Sequence, residues 1–396
     1  MSRLVSLNSL AQDLLIFGAS SRAAAFSALR CGLRPWCADY FADRDLVAVC
    51  HVERIDPQHA GRQFIALAQS LPPSPWFYTG GFENHPEWVK QIARRHRLWG
   101  VGAETLRAVR DPVQVADVLN EHGIACPAVR RDPRGLPRDG SWLKKPLRSG
   151  GGRGIVPLTT ENDGESPSCY FQERIRGPSY SALFIGERSG GRLIGVTRQL
   201  IGMADFPFAY RGSIGPLSIA RTMASKLLVL GTALTSAFGL TGWFGIDYVL
   251  RGGNPWPVEI NPRYPASLEV HELASRRALL ADHRRACEGD AAPHASPGRI
   301  DLPRSRVVAK LILYATRTLV VPEIAAGEDD SHDLFAVRSI ADVPWPGTSF
   351  EPGDPVMTLL ASGENPAACR SRLIELERKW MRQFGMGGGT RTFVRP

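Results

Sequence analysis

Two carboxylates and an amide stand out in this 396-residue sequence. One carboxylate lies in Gly245-Ile246-Asp247-Tyr248-Val249-Leu250, and the other groups lie in Pro257-Val258-Glu259-Ile260-Asn261-Pro262-Arg263. Both segments read as apolar strands interrupted by a polar residue. As adjacent antiparallel strands they bring Asp247, Glu259 and Asn261 to one sheet end. Three hard oxygen ligands there suit Mg²⁺ (or Mn²⁺), which binds through carboxylates plus substrate phosphates rather than an all-protein cage. Arg263, two residues past Asn261, has the planar fork that grips phosphate or carboxylate. Such a set would suit the metal end of an ATP site.

A triphosphate also needs a cradle. Lys145-Pro146-Leu147-Arg148-Ser149-Gly150-Gly151-Gly152-Arg153-Gly154-Ile155 supplies a lysine followed by four glycines in five positions. Glycines let backbone N–H groups approach a phosphate and let the segment move as a flap. The order differs from a P-loop, where lysine follows the glycines and a helix begins.

The remaining elements must hold these groups. Residues 13–18 read as a buried strand entering a tight turn, 19–30 as a helix and 35–39 as a second strand. Strand–helix–strand begins a parallel sheet. The turn Gly18-Ala19-Ser20-Ser21-Arg22 lacks a clean G-x-G-x-x-G, so its serines either cap the helix or bind an anion. Asp111 and Pro112 start a helix that Gly123 stops. Strands are expected at 169–175, 180–185, 194–202, 241–251 and 256–261, with a long helix over 219–238. Residues 287–304 read as a linker. Strands at 307–316 and 318–321, a helix over 370–383 and a polar tail from Met386 complete the chain. The expected organisation is a Rossmann-like α/β domain over 1–105, a second α+β domain over 106–290 and a small β-rich region over 300–396.

Composition narrows the function. The net charge is +9, carried by six lysines and 42 arginines that are scattered along the chain. The local clusters Arg94-Arg95-His96-Arg97 and Arg130-Arg131 are short, and no nucleic-acid-binding motif accompanies them. The charge therefore reads as a solvated arginine-rich surface with a bias toward small anions. Seven cysteines without a C-x-x-C pair argue against a zinc module and a disulfide framework. Leu14-Leu15-Ile16-Phe17 is too short for a leader or a membrane span. A cytoplasmic protein is expected.

Lysine, glycine loop, a strand ending Gln172-Glu173-Arg174-Ile175, then the Asp247, Glu259, Asn261 set: this order resembles the ATP-grasp superfamily, over roughly residues 106–275. The flanking regions resemble the domain before ATP-grasp and the β region after it in carboxylase-like members. Among branches the layout is similar to the carboxylate–amine ligases, including tyramine–glutamate ligase, and to biotin carboxylase. The resemblance implies roles. Lys145 would contact ATP phosphate, and Ser149, Gly150, Gly151, Gly152 and Gly154 would close over it. Gln172, Glu173, Arg174 and Ile175 would form the hinge, with main-chain groups of Glu173 and Ile175 reading the adenine edge and Ser179 meeting the ribose. Asp247, Glu259 and Asn261 would hold one or two Mg²⁺, and Arg263 would face the γ-phosphate or an acyl phosphate. Arg198 and Arg211 are candidates to hold the substrate. A second phosphate lysine is missing near residues 107–125, where Arg107 and Arg110 are the available cations. The implied activity is an ADP-forming ligase that joins a carboxylate to an amine, with small-molecule substrates and possible homodimers. The alternatives are a bicarbonate-activating carboxylase and a non-catalytic nucleotide-binding protein.

Overall fold

The computed structural model describes residues 13–162, 168–203, 205–289, 306–324 and 333–386. The first sheet is built from β1 (Asp13–Phe17), β2 (Arg34–Asp39), β3 (His51–Arg54), β4 (Pro75–Tyr78) and β5 (Arg97–Leu98). Their order is β3-β2-β1-β4-β5, and all pairings are parallel. The apolar run Leu14–Phe17 sits at its centre because a parallel sheet covered by helices buries both strand faces. Helices α1 (Arg22–Arg30), α2 (Arg44–Val47), α3 (Ala60–Ser70) and α4 (Pro86–Ile92) connect these strands.

The turn after β1 resolves the alternatives for its serines. Neither serine side chain caps α1; instead Asp39 Oδ2 accepts the Ser21 amide at 2.9 Å, and Oδ1 accepts the Ala42 amide at 2.8 Å. The carboxylate at the end of β2 thus occupies the position an external anion would take.

Helices α5 (Ala103–Val109) and α6 (Pro112–Glu121) lead to the second sheet. Asp111 caps α6 through the amides of Val113 and Gln114, with Pro112 in the first turn. The second sheet contains β6 (Val129–Arg130), β7 (Asp139–Pro146), β8 (Val156–Thr159) and β9 (Cys169–Glu173), in the order β6-β9-β7-β8.

The third sheet begins with β10 (Ser179–Glu187), β11 (Gly190–Ile201) and β12 (Tyr210–Gly215), and continues with β13 (Gly242–Arg251) and β14 (Asn254–Asn261). Helix α7 (Arg221–Phe238) buries Leu227, Leu230 and Leu234 against this sheet, where Phe184 and Phe244 stack at 5.1 Å. Each such leucine contributes about 1.5–3 kcal/mol. Helices α8 (Leu268–Ser275) and α9 (Leu280–Glu288) follow. The remaining elements are β15 (Val307–Tyr314), β16 (Leu319–Val320), β17 (Ile340–Ala341), β18 (Ser349–Phe350), β19 (Pro355–Gly363) and α10 (Pro366–Gln383). The C-terminal strands do not stand apart. They extend the third sheet to eight strands, β14-β13-β10-β11-β12-β15-β19-β17. Helix α10 starts four residues before the expected position because Asn365 caps it and Pro366 fits its first turn. Most of the expected linker and all of the tail after Met386 lie outside the described residues; Met386 itself is buried.

A buried charged knot ties the regions together. Glu269 of α8 accepts both Arg22 of α1 and, at 2.8 Å, Lys310 of β15. Arg22 also donates to Asp342 at 2.9 Å. Among the described helices, none is long and apolar enough to cross a membrane.

Candidate active site

Strands β13 and β14 are antiparallel, and Asp247 faces Glu259 directly while Gly245 faces Asn261. The Asn261 amide donates to Asp247 Oδ2 at 3.1 Å. A bulge after this pair leaves Val258 without a partner on β13. Bulges re-aim backbone groups beside functional sites. Here the Val258 carbonyl accepts Lys145 Nζ at 3.1 Å, and Gln172 Oε1 accepts it at 3.0 Å. The lysine of β7 therefore meets β14 across the gap between the second and third sheets.

That gap is a cleft of about 540 Å³, lined by Lys145, the hinge and Asp247, Glu259, Asn261 and Arg263. Burial, and then the facing Glu259, push the Asp247 carboxyl up to about 6; hydrogen bonds from Ser181 and Gln199 act the other way. Two facing carboxylates in a cleft repel each other, and a divalent cation relieves that repulsion. The donor set therefore fits Mg²⁺ or Mn²⁺.

Arg263 is held from three sides. Its Nε donates to Glu83 at 2.7 Å, Nη2 to Asn261 Oδ1 at 3.0 Å and Nη1 to the Tyr264 carbonyl at 3.1 Å. Glu83 is buried, and Arg263 holds its carboxyl below the usual range against the upward pull of burial. Of the two arginines available where the second lysine is missing, Arg110 reaches the site. It donates to Glu259 Oε1 at 3.0 Å, to Asn84 Oδ1 at 3.1 Å and to the Ser149 carbonyl at 3.4 Å. Arg107 instead pairs with Glu104 and Glu87 near the surface.

The flap residues divide. Gly151 and Gly152 line the cleft, and Ser149 lines an adjoining recess with Arg110. Gly150 and Gly154 line neither: Gly150 is exposed and Gly154 packs on Pro146. The Gly151 carbonyl accepts the Tyr210 amide at 2.8 Å. Gly152 has φ +74°, and a Cβ there would lie 1.9 Å from the Phe208 carbonyl oxygen. Gly152→Ala should therefore keep the flap from seating. We expect kcat/KM for ATP to fall by roughly tenfold or more, with the thermal midpoint little changed, since the strain of a non-glycine residue there costs about 1–2 kcal/mol. Steady-state kinetics beside a melting curve checks this.

Gln172, Glu173, Arg174, Ile175 and Ser179 all line the cleft. The hinge backbone is partly engaged. Ala128 accepts the Glu173 amide and Ser141 accepts the Arg174 amide, each at 2.8 Å. Any adenine contact by Glu173 must therefore use its carbonyl, with the Ile175 amide beside it.

Two expected substrate residues are misplaced. Gln199 and Ile201 of β11 line the cleft, so strand alternation puts Arg198 on the opposite face. There it lies 5.1 Å over the Tyr180 ring and donates to its hydroxyl. Arg211 turns to α10 and pairs with the buried Glu377. Neither lines the cleft. The expectation missed Glu83, Asn84, Ser181, Gln199, Ser213 and Ser267. Ser181 and Gln199 had a usable signal, because period two on strands beside Asp247 selects them. Glu83 and Asn84 follow the Gly80-Gly81 turn at the end of β4, where ligands collect in parallel sheets.

A lysine and a glycine segment thus stand opposite a carboxylate–amide set in one cleft between two sheets. Residues 109–267 match the ATP-grasp domain. An uncharacterised protein of Methanocaldococcus jannaschii is 24% identical over 378 residues, covering 88% of this chain and 87% of its own length. A formate-dependent phosphoribosylglycinamide formyltransferase of Nitratidesulfovibrio vulgaris is 25% identical over 305 residues, covering 70% and 75%. Among solved structures, an L-amino acid ligase from Bacillus licheniformis has a TM-score of 0.68 at 17% identity, covering 93% of this chain and 97% of that one.

Proposed function

We propose that this chain is an ATP- and Mg²⁺-dependent ligase that activates a carboxylate as an acyl phosphate and joins it to an amine. The observation that carries the reading is one cleft holding Lys145, the seated flap and the Asp247–Glu259–Asn261 set. The L-amino acid ligase likeness supports the same class of reaction.

In this reading Asp247, Glu259 and Asn261 hold the metal, which neutralises phosphate charge when bound. Lys145 and the Gly151–Gly152 backbone position the triphosphate, and the flap excludes water. Arg263, fixed by Glu83, holds the carboxylate in line with the γ-phosphorus. A carboxylate oxygen attacks that phosphorus, the bond to the β–γ bridging oxygen breaks, and ADP leaves. The amine then attacks the acyl carbon, phosphate leaves, and the amine gives up a proton. No protein nucleophile is required, so catalysis is positioning and electrostatics.

The test is ADP release with MgATP and paired carboxylates and amines, bicarbonate included, with the amide product identified by mass. Amide formation with stoichiometric ADP is the expected result. ADP release with bicarbonate alone would replace this reading with a carboxylase. Nucleotide binding without ADP release from any pair would make the chain a non-catalytic binder.

A further inference from the structure

We propose that the far end of the cleft is a subsite for a small, unphosphorylated carboxylate, with Ser267 as a specificity-determining residue. This rests on the ligase reading above. Along β13 the cleft passes from Val249, which pairs with Ser179 beside the hinge, to Asp247 and then Gly245. At Gly245 a Cβ would lie 3.4 Å from Pro265, so the Pro265–Ser267 segment closes this end.

Ser267 is 3% exposed, lines the cleft, and its hydroxyl has no partner among the described residues. It precedes α8, yet its side chain makes no capping bond to that helix. A buried hydroxyl without a partner is unfavourable, and one at a helix start is well placed to donate to an anion. The amide end of the eight-residue α8 carries partial positive charge beside it. Arg263 lies four residues earlier and uses three of its five N–H groups within the protein. One carboxylate oxygen on Arg263 and the other on Ser267 would hold the group next to Asn261 and the metal.

The charge at this end sets the ligand class. Four cationic side chains line the cleft among the described residues. Arg174 lies in the hinge and Arg176 just after it, and Lys145 is bound to Gln172 and Val258. That leaves Arg263 here. The buried cations behind the wall, Arg22 and Lys310, are matched by Glu269 and Asp342. The rest of this wall is uncharged, with the Tyr210 and Ser213 hydroxyls bonded to each other at 2.8 Å. A phosphomonoester brings a charge of about −1.5 to −2 and three acceptor oxygens, and calls for clustered cations. A single guanidinium with hydroxyls suits one carboxylate whose substituents carry no phosphate.

The test uses full-length protein, MgATP and hydroxylamine, which traps an acyl phosphate as a hydroxamate. The probes are matched pairs: glycolate with 2-phosphoglycolate, L-serine with O-phospho-L-serine, and acetate, glycine and L-glutamate beside them. Hydroxamate and ADP are expected from unphosphorylated members and not from their phosphorylated partners. Ser267→Ala should raise the KM for the reacting carboxylate roughly 10-fold to 100-fold, while ATP KM stays within about twofold. Unchanged binding of a fluorescent ATP analogue shows that the variant is folded. ADP release with the phosphorylated members alone, or an unchanged carboxylate KM in Ser267→Ala, overturns the subsite and leaves the ligase reading standing. No ADP from any member overturns both.

Discussion

Asp247→Asn is expected to lower ADP formation by roughly 1,000-fold with the fold intact, and Asp247→Asn with Glu259→Gln is expected to abolish it. The two residues face each other across β13 and β14, so the double substitution keeps side-chain shape while removing both charges. In the protein without metal the change relieves repulsion, because Glu259 is one cause of the raised Asp247 pKa. Loss of the Arg110–Glu259 pair offsets that relief, so the thermal midpoint should stay nearly unchanged while turnover disappears. That split is the diagnostic part. A purely structural role for the pair predicts the reverse, with lower stability and retained rate. Titration calorimetry with MgATP, kinetics and melting on the same preparation decide between them. Retained turnover in the double variant would refute the metal assignment.

The second large effect is on stability. Glu269→Gln should destabilise the protein by about 3–5 kcal/mol, because removing one partner of a buried ion pair strands the others. Glu269 is 1% exposed and answers both Arg22 and Lys310. Burial works to raise its pKa, but the two cations win and hold it far below the ordinary carboxylate range. The sign follows. A depressed folded pKa contributes stability that is fully present above the unfolded value, near 4.5, and is lost as pH falls below it. The stability gap between wild type and Glu269→Gln should be widest at neutral pH and shrink in acid. Urea unfolding at pH 7 and pH 4 measures it. An equal gap at both pH values would show that the charge is not the source. The knot joins α1, α8 and β15, so its loss should also loosen Arg263 and Ser267, which lead into α8.

Much of the candidate site was legible because its residues lie close together along the chain. Asp247, Glu259 and Asn261 lie on two strands joined by Gly252-Gly253, so strand alternation alone brings them together. Lys145 and the glycines are contiguous. The hinge follows within 30 residues. The same alternation, carried two strands further through β10, would have put Arg198 on the other face, but it needs the register of β11 against β10, and that register contains a bulge between Leu183 and Phe184. Arg211 failed for a different reason. With 42 arginines in the chain, an arginine near the site carries little information until its partner is known, and Glu377 is 166 residues away.

What could be read along the chain was the chemical inventory and its order: a cationic amine, a flexible glycine segment, and two anions with an amide on neighbouring strands. Local periodicity and turn residues suffice for that, since they act over a few residues. The assembly of the site from distant segments was decided by packing. Glu83 reaches Arg263 and Arg110 reaches Glu259 across separations of 180 and 149 residues. The unpartnered Ser267 hydroxyl and the joining of the C-terminal strands to the third sheet belong to the same level. Such contacts depend on which faces of separate layers are buried against each other, and no short-range pattern encodes that.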